Sequence, residues 1–407
     1  MPRLEQIRED LAFEAADVAR AAGWSVTYLR ERESTDNLDA DDADVLSRLY
    51  GVDVTAAIET PAAEVAHQPL RALLRGATGD LTADDRFAIA EVATIAREHR
   101  GLLSALGRRD RWPVVASFSD DTDYGHPADG APERLAALAR AQLGLSDQPI
   151  ASITELLRRE LGVLLVWVDV SPDIDAFAMA TPDTGAVIAL NVSGPHTRSP
   201  FSRRVTLAHE LCHLLFDRHH MRSMGRFCAI AVRRRTRKRA GDDLPIEEKI
   251  ERRARSFAAA FLVPRAPGIQ SWARHRDPSP SRRVRAWMTH WGIGYEAARA
   301  HLDTLGRLPM GTRLHAVETE APPAWAQCEP EAPSTGPTAA IPLARRGDFF
   351  ATVLEAVREQ AIGPARARDL LQLDRAGWAL LVNGLDAPPL RERSSPEVSS
   401  SVLADWL

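Results

Sequence analysis

The chain has few of the residues that build covalently linked or membrane-bound proteins. Its 407 residues include only three cysteines, Cys212, Cys228 and Cys328, which are too few and too widely spaced for a disulfide framework or a structural zinc cluster. No run of about 18 apolar residues occurs, and the N-terminus lacks the layout of a signal peptide. Membrane insertion and secretion are not indicated, so we expect a cytoplasmic protein with reduced thiols.

Positive charge is scarce in the first 60 residues, although the overall charge of -5 conceals this. Residues 1–60 contain six arginines, no lysine and fourteen acidic residues, a net charge of -8. Residues 222–285 contain eighteen lysines and arginines against six acidic residues, a net charge of +12. Because proteins that grip nucleic acids neutralise phosphates with Lys and Arg, the second segment suits a polyanion better than the first.

The densest basic run lies between two predicted helices and has two interpretations. It could bind a polyanion such as a nucleic acid, or it could be a solvated loop whose arginines pair with nearby acidic residues. Contact with the acidic N-terminal segment is a third use for this loop. The residues concerned are Arg233, Arg234, Arg235, Arg237, Lys238 and Arg239.

A five-residue motif carries the clearest chemical signal in the chain. His209 and His213 are four residues apart, with Glu210 between them, in a periodic sequence that predicts a mostly buried helix. At that spacing the two imidazoles share one helix face and could bind Zn²⁺ at about 2.0 to 2.1 Å. Glu210 is then placed to act on water rather than on the metal. Two hydrogen-bonded core histidines are the structural alternative.

A second helix is predicted to supply a third ligand. Residues 247–263 form an amphipathic pattern in which Glu251 falls on the apolar face, where an unpaired carboxylate would be costly to bury. A metal ion would provide its partner. His219 and His220 are rival ligands. They lie near a predicted helix end, however, where imidazoles often only interact with the last carbonyl groups of the helix. The predicted apolar stripe consists of Ile250, Ala254, Phe257, Ala258 and Phe261.

These two segments resemble the ImmA/IrrE group of bacterial zinc metallopeptidases. The likeness rests on residues 205–215 and 251–264 and extends over about residues 130 to 306. The resemblance implies zinc ligands at His209, His213 and Glu251, and it implies that Glu210 is the catalytic glutamate. Cys212 departs from the small residue that is usual there, and a long insertion separates the two ligand helices.

The N-terminal segment resembles a different module. Residues 14–33 are similar to the helix-turn-helix of Xre/Cro-type repressors, with residues 26–33 as the recognition helix. The resemblance implies DNA binding, in which Arg30 and Arg32 could reach base edges. The net charge of -8 argues against it, and Ala15 occupies a position where such repressors often carry a phosphate-binding glutamine. A protein-docking or dimerising role is the alternative.

The predicted fold class is α+β and mainly helical. It combines a zincin-like metallopeptidase domain, made of a small sheet and the HExxH helix, with an N-terminal helix-turn-helix bundle. Residues 318–342 are rich in Pro, Ala and Glu and are not expected to form a core. The predicted segments are the helix-turn-helix module at 1–60, a helical connector that holds two domains apart at 61–125, the metallopeptidase domain at 126–310, a linker at 311–342 and a C-terminal helical appendage at 343–407.

From this organisation we predict a zinc-dependent endopeptidase. The resemblance implies cleavage of a regulatory protein, such as a repressor or an antitoxin, during stress or in response to a phage or other mobile element. Residues 186–191 are predicted to form an edge strand on which an extended substrate could pair.

Two other functions fit the sequence. One is a DNA-binding transcriptional regulator in which the metallopeptidase-like domain is a sensor or scaffold. The other is an interaction protein whose N-terminal module covers the basic surface until a nucleic acid displaces it. A nucleic acid is a further candidate partner in either case, at residues 233–239 or at the helix-turn-helix. The oligomeric state, a dimer included, stays open.

Overall fold

The protein is mainly helical around one small sheet, as a computed structural model shows. The structure describes residues 3–59, 81–118, 131–217, 230–232, 246–308, 323–329, 331–333 and 338–386. No helix in these ranges is long and apolar enough to cross a membrane. The predicted α+β class with mainly helical content is confirmed, whereas its zincin-like and helix-turn-helix details stay predictions.

Five short helices form the N-terminal part of the described chain. Their bounds are α1 Arg3–Asp10, α2 Ala15–Ala22, α3 Val26–Thr35, α4 Ala40–Tyr50 and α5 Val54–Glu59. Helix α2 ends at Gly23, whose φ of 71° favours glycine. Helix α3 begins at Ser25, whose side chain accepts a hydrogen bond from the Tyr28 N–H.

A long helix, α6 (Ala83–Ala105), runs through the core of the protein. It begins with a capping box in which the side chains of Thr82 and Asp85 each accept a hydrogen bond from the other residue's backbone N–H. Its buried side chains share one hydrophobic core with α1–α5, with the sheet and with the C-terminal helices. The interpretation of this region as a connector that holds two domains apart is therefore wrong for α6, because the helix joins its neighbours.

Within the described residues, the sheet has four strands in the order β1-β3-β2-β4. Their bounds are β1 Leu164–Val168, β2 Ile174–Thr181, β3 Gly185–Asn191 and β4 Ile230–Val232. β3 pairs with β1 in parallel and with β2 in antiparallel orientation, and β4 pairs with β2 in antiparallel orientation. The prediction that residues 186–191 form an edge strand is therefore wrong, since both sides of β3 are hydrogen-bonded to neighbours. Among the described strands, β1 and β4 form the edges.

Both faces of the sheet are buried, which explains the nearly continuous apolar sequences of β1, β2 and β3. One face packs against helices that follow and precede the strands, and the other packs against α1–α6 and the C-terminal helices. The helices of the first face include α9 (Ile153–Leu161), α10 (Pro200–Cys212) and α11 (Ile246–Leu262). Further helices on this side are α7 Trp112–Ser117, α8 Ala131–Gln142, α12 Arg265–Arg274, α13 Pro280–Trp291, α14 Tyr295–Thr304 and α15 Pro323–Cys328.

Part of the predicted linker is a core element instead. Helix α15 (Pro323–Cys328) inserts Trp325 against Phe201, and the following Glu329 is fully buried. Glu329 binds the guanidinium of Arg204 on α10 at 2.6 Å. The prediction that residues 318–342 form no core is therefore wrong for 323–329. A composition rich in Pro and Ala does not reveal that two single residues, Trp325 and Glu329, pack against α10.

The C-terminal helices cover the second face of the sheet. They are α16 Asp348–Arg358, α17 Pro364–Leu371 and α18 Arg375–Asp386, preceded by a 3-10 turn at Leu343–Arg345. Arg158 on α9 contacts both carboxylate oxygens of Asp348, through a hydrogen bond at 2.8 Å to one and an ion pair at 2.6 Å with the other. The C-terminal region is thus packed on the sheet. The five predicted segment boundaries stay predictions.

Candidate metal centre

Helix α10 places the HExxH motif beneath the sheet. Ser199 caps its N-terminus by accepting a hydrogen bond from the Ser202 N–H, and Pro200 occupies the first turn, where its missing N–H is no loss. The helix then runs against β2 and ends with His209 and Glu210 in its last turn. His213 begins a single π-helical turn, which extends to Asp217 and is completely buried. Wider turns of this kind recur at functional sites.

The two motif histidines face each other. Their ring centroids are 4.8 Å apart, with the ring planes at 78°. The Nε2 atom of His209 lies 3.1 Å from the Nε2 atom of His213. Both residues are buried, with 8% and 3% of their surfaces exposed. The prediction that the i and i+4 imidazoles share one helix face is confirmed by this geometry.

Helix α11 brings a carboxylate to the same point. All five residues of the predicted apolar stripe are buried, and this face packs α11 against α8 and α10. Glu251 then reaches the histidines, with Oε2 at 3.2 Å from Nε2 of His209 and Oε1 at 3.4 Å from Nε2 of His213. The long separation in sequence between the two helices leaves this convergence intact.

The three side chains form a group that could hold a metal ion. A tetrahedral ion with bonds of about 2.0 to 2.1 Å holds neighbouring ligand atoms about 3.3 Å apart. The closest contacts in the cluster, at 3.1, 3.2 and 3.4 Å, are near that spacing, with the two contacts of Glu251 made by different carboxylate oxygens. One ligand atom from each residue lies within 4.8 Å of the other two. Oε2 of Glu251 is buried and lies within ion-pair distance of Nε2 of His209, although no well-aligned hydrogen bond forms there among the described residues. The cluster therefore fits a metal ion by donor type and by the closeness of its ligand atoms.

Burial and mutual contact move the pKa values of these groups in different directions. Burial lowers the pKa of His209, which leaves its ring neutral at pH 7. Burial opposes the charged form of His213 as well, but contacts with Asp217 and Glu251 raise its pKa well above the usual value. Burial disfavours ionised Glu251, yet both histidines hold its pKa well below the usual range. A proton on His213 thus balances Glu251, and a metal cation can replace that proton.

Glu210 lies beside this cluster and is nearly inaccessible, with 1% of its surface exposed. Burial raises the pKa of its carboxyl to about 8, with His213 opposing the shift and Glu251 and Asp175 adding to it. Its Oε2 atom has no hydrogen-bond partner among the described residues. A carboxyl group whose pKa lies near neutral pH, and which is beside a candidate metal centre, is suited to accept and return protons.

Of the residues predicted to bind nucleic acid, Arg30 and Arg32 lie on α3, which is not one of the helices that form this site. Arg30 is exposed on α3. Arg32 is held by an ion pair with Asp42 at 2.9 Å and by a hydrogen bond to the Tyr28 hydroxyl at 2.7 Å. Residues 233–239 and the rival ligands His219 and His220 lie outside the described residues. Their roles stay predictions.

Sequence reasoning missed two residues that contact the cluster. Asp217 accepts a hydrogen bond from Nδ1 of His213 at 2.7 Å, and Arg253 forms an ion pair with Asp217. An acidic residue four positions after His213 was the available signal, since residues at that spacing meet on a helix. The pairing with Arg253 had no such signal, because only the packing of α10 against α11 creates it.

Comparison with known families agrees with the geometry. Residues 160–303, about a third of the chain, match the family model of peptidase family M78, described as an IrrE N-terminal-like domain. No curated protein matches the chain. The matched range contains β1 to β3 and all four residues of the candidate site. It supports the predicted likeness to the ImmA/IrrE group and a metallopeptidase type of function for this part of the chain, which is similar to an IrrE N-terminal-like domain.

Proposed function

We propose that this protein is a zinc-dependent endopeptidase. The observation that carries the proposal is the convergence of His209, His213 and Glu251 at 3.1 to 3.4 Å, with the unsatisfied carboxyl of Glu210 beside them. Two imidazoles and one carboxylate leave one position open in a four-coordinate zinc site, which is the arrangement of catalytic rather than structural zinc. The alternative of two hydrogen-bonded core histidines does not account for the buried Oε2 atom of Glu210, which has no hydrogen-bond partner among the described residues.

Each residue has a distinct part in the proposed reaction. His209, His213 and Glu251 would hold the zinc ion, which when bound would supply a Lewis acid for the scissile carbonyl. Glu210 takes a proton from the attacking water and returns it to the departing amine. The burial of Glu210 keeps competing bulk water away from the carboxyl that carries this proton.

We propose that the substrate pairs with an edge of the sheet. β3 is paired on both sides, and the β1 edge is approached by Asp348, whose carboxylate accepts a hydrogen bond from the Leu165 N–H at 3.4 Å. Of the described strands, β4 is then the edge at which an extended peptide could add hydrogen bonds. Pairing of this kind favours an unfolded or flexible substrate segment. We propose a regulatory protein, such as a repressor or antitoxin, as the substrate class.

A transcriptional regulator is the second candidate, but the N-terminal geometry supports it poorly. Four of the six arginines of residues 1–60 are engaged in ion pairs with acidic residues of the protein, and Arg32 is among them. An arginine bound in this way must break its own contacts before it reaches a phosphate or a base. The acidic module is better suited to a protein partner.

The proposed function is tested by metal content and peptide cleavage together. We expect about one zinc per chain in the purified wild type by elemental analysis, and loss of zinc in His213→Ala and in Glu251→Ala. A peptide library read by mass spectrometry should yield new termini with the wild type and none with these variants. Zinc retained in both variants would contradict the ligand assignment. A zinc-loaded wild type that cuts no peptide and no candidate repressor would favour the sensor or scaffold alternative.

A further inference from the structure

Asp217 is the last residue of the π-helical turn and has no exposed surface. Its Oδ2 atom accepts a hydrogen bond from Nδ1 of His213 at 2.7 Å. Its Oδ1 atom is held by the guanidinium of Arg253. One carboxylate oxygen of Asp217 therefore binds the imidazole, and the other binds the guanidinium of Arg253.

One helix holds the His213 ring at both edges. Glu251 on α11 faces Nε2 of His213 at 3.4 Å, and Arg253, two residues later, reaches the other edge of the ring through Asp217. The π-helical turn sets Asp217 beside Nδ1, on the side of the ring away from Glu251. The packing of α10 against α11 therefore orients the imidazole as well as delivering the third ligand.

We propose that Asp217, anchored by Arg253, positions His213 for the metal. An Nδ1–H bound to a carboxylate fixes the tautomer, so the lone pair lies on Nε2, which faces His209 and Glu251. The same hydrogen bond prevents the ring from rotating and makes Nε2 a stronger donor. The inference rests on the proposed metal site and adds to it two residues that contact no substrate.

A purely structural role for this buried ion pair makes a different prediction. If Asp217 and Arg253 only stabilise the fold, their loss should lower the free energy of unfolding without a specific effect on metal affinity. Asp348 provides a matched control, because it is also a largely buried carboxylate bound to an arginine, Arg158, but lies away from the candidate metal centre. Loss of Asp348 should affect stability alone.

The experiment titrates Zn²⁺ into metal-stripped protein against a chromophoric chelator. We expect Asp217→Ala to weaken zinc binding by about 10- to 100-fold, the usual cost of losing a group that orients a ligand histidine. Asp217→Asn should recover part of that loss, because its amide oxygen can still accept the Nδ1–H. Arg253→Met should weaken binding less than Asp217→Ala. Asp348→Ala should bind zinc as the wild type does.

A second readout reports on the ligand geometry itself. The visible absorption bands of Co²⁺ depend on the coordination sphere, so Co²⁺-loaded Asp217→Ala should show shifted bands, whereas Asp348→Ala should match the wild type. Wild-type zinc affinity in both Asp217 variants would overturn the inference. Absence of zinc binding in the wild type would instead refute the proposed function. If Asp217→Ala fails to fold, Asp217→Asn and Arg253→Met decide between the outcomes.

Discussion

Helix α10 carries a buried charged group near each end. The two groups differ in how completely their polar atoms are hydrogen-bonded within the protein. Near its start, Arg204 donates to Glu329 at 2.6 Å and to the carbonyls of Gly292 and Ile150 at 2.8 and 2.6 Å. Glu329 in turn accepts hydrogen bonds from the Ile153 and Thr154 N–H groups and from the Thr154 hydroxyl. Every strong donor or acceptor of this pair has a partner in the protein.

The other end differs in this respect. Oε2 of Glu210 is buried without a hydrogen-bond partner among the described residues, and Oε2 of Glu251 lies 3.2 Å from Nε2 of His209 without a well-aligned hydrogen bond. A buried oxygen without a partner costs about 1 to 3 kcal/mol, and a metal ion or water at this end would remove that cost. The comparison teaches that burial of charge by itself does not mark a functional site. The completeness of the hydrogen bonding separates the structural cluster from the candidate metal centre.

The largest expected effect comes from replacing Glu210, at the end of α10 that carries the candidate metal centre. Glu210→Gln should retain zinc, because Glu210 is not a proposed ligand, and should lose about two to four orders of magnitude in cleavage rate, because the general base is gone. Its free energy of unfolding should stay within about 0.5 kcal/mol of the wild type, since no hydrogen bond of Oε2 is broken. Rate and denaturant unfolding are measured on the same preparation. Wild-type cleavage by this variant would refute the proposed mechanism.

A glutamate-to-glutamine substitution near the other end of α10, at Glu329, should give the opposite result. Glu329→Gln leaves the fully buried guanidinium of Arg204 without a charge partner, so we expect a loss of about 3 kcal/mol in the free energy of unfolding. Zinc content should be unchanged in protein that is folded. Denaturant titration and elemental analysis check both statements. Equal stability of Glu329→Gln and wild type would remove the contrast between the two ends of α10.

A half-buried histidine without a carboxylate partner sharpens the comparison. His99 on α6 contacts the Thr352 hydroxyl at 3.2 Å, and burial lowers its pKa to about 4. The unfolded chain binds a proton at His99 near pH 6.5 and the folded chain does not, so stability falls as pH drops from about 6.5 to 4. The expected contribution is about 2 kcal/mol between pH 7 and pH 5.

The variant His99→Gln isolates this contribution, because an amide can still bind Thr352 but does not titrate. The difference in unfolding free energy between variant and wild type should change by the stated amount over that pH range. Every other titrating group is common to both proteins and cancels. A difference that is constant with pH would show that the pKa of His99 is the same in the folded and the unfolded protein.

The smallest expected effect concerns DNA. The isolated segment 1–60 should bind duplex DNA weakly or not at all, because its charge of -8 repels phosphate and Arg32 is engaged with Asp42. Binding by the full chain should depend on residues 233–239 and weaken steeply with salt. A salt titration of the segment, the full chain and a variant with those basic residues replaced by Ser tests this. Tight, sequence-selective binding by the segment would promote the regulator alternative.

The parts of the fold that could be predicted depend on interactions close in sequence. The spacing of His209 and His213 places them on one helix face, and the apolar stripe of α11 predicts which side of that helix is buried, with Glu251 on it. The cap at Ser25 and the turn at Gly23 are local as well. Patterns of this kind are visible in the sequence because neighbours within a turn or two determine them.

The incorrect predictions all concern contacts between distant residues. β3 reads as a strand from its composition, but its place between β1 and β2 depends on hydrogen bonds to segments on either side of it. Residues 323–329 read as a linker, although Trp325 and Glu329 complete the core around α10. Helix α6 reads as a connector, although its buried side chains join three parts of the chain. Local composition contains no information about which partner buries such residues.

The sequence by itself therefore determined the chemical identity of the candidate site: two imidazoles and one carboxylate that could hold a metal, with a second glutamate beside them. Only the tertiary structure decided how that site is held. The anchoring of Asp217 by Arg253, and the pairing of Arg204 with Glu329 at the other end of α10, both join residues far apart in sequence. The physical reason is that helix periodicity acts within a few residues, whereas the pairing of buried charges is set by which helices pack together.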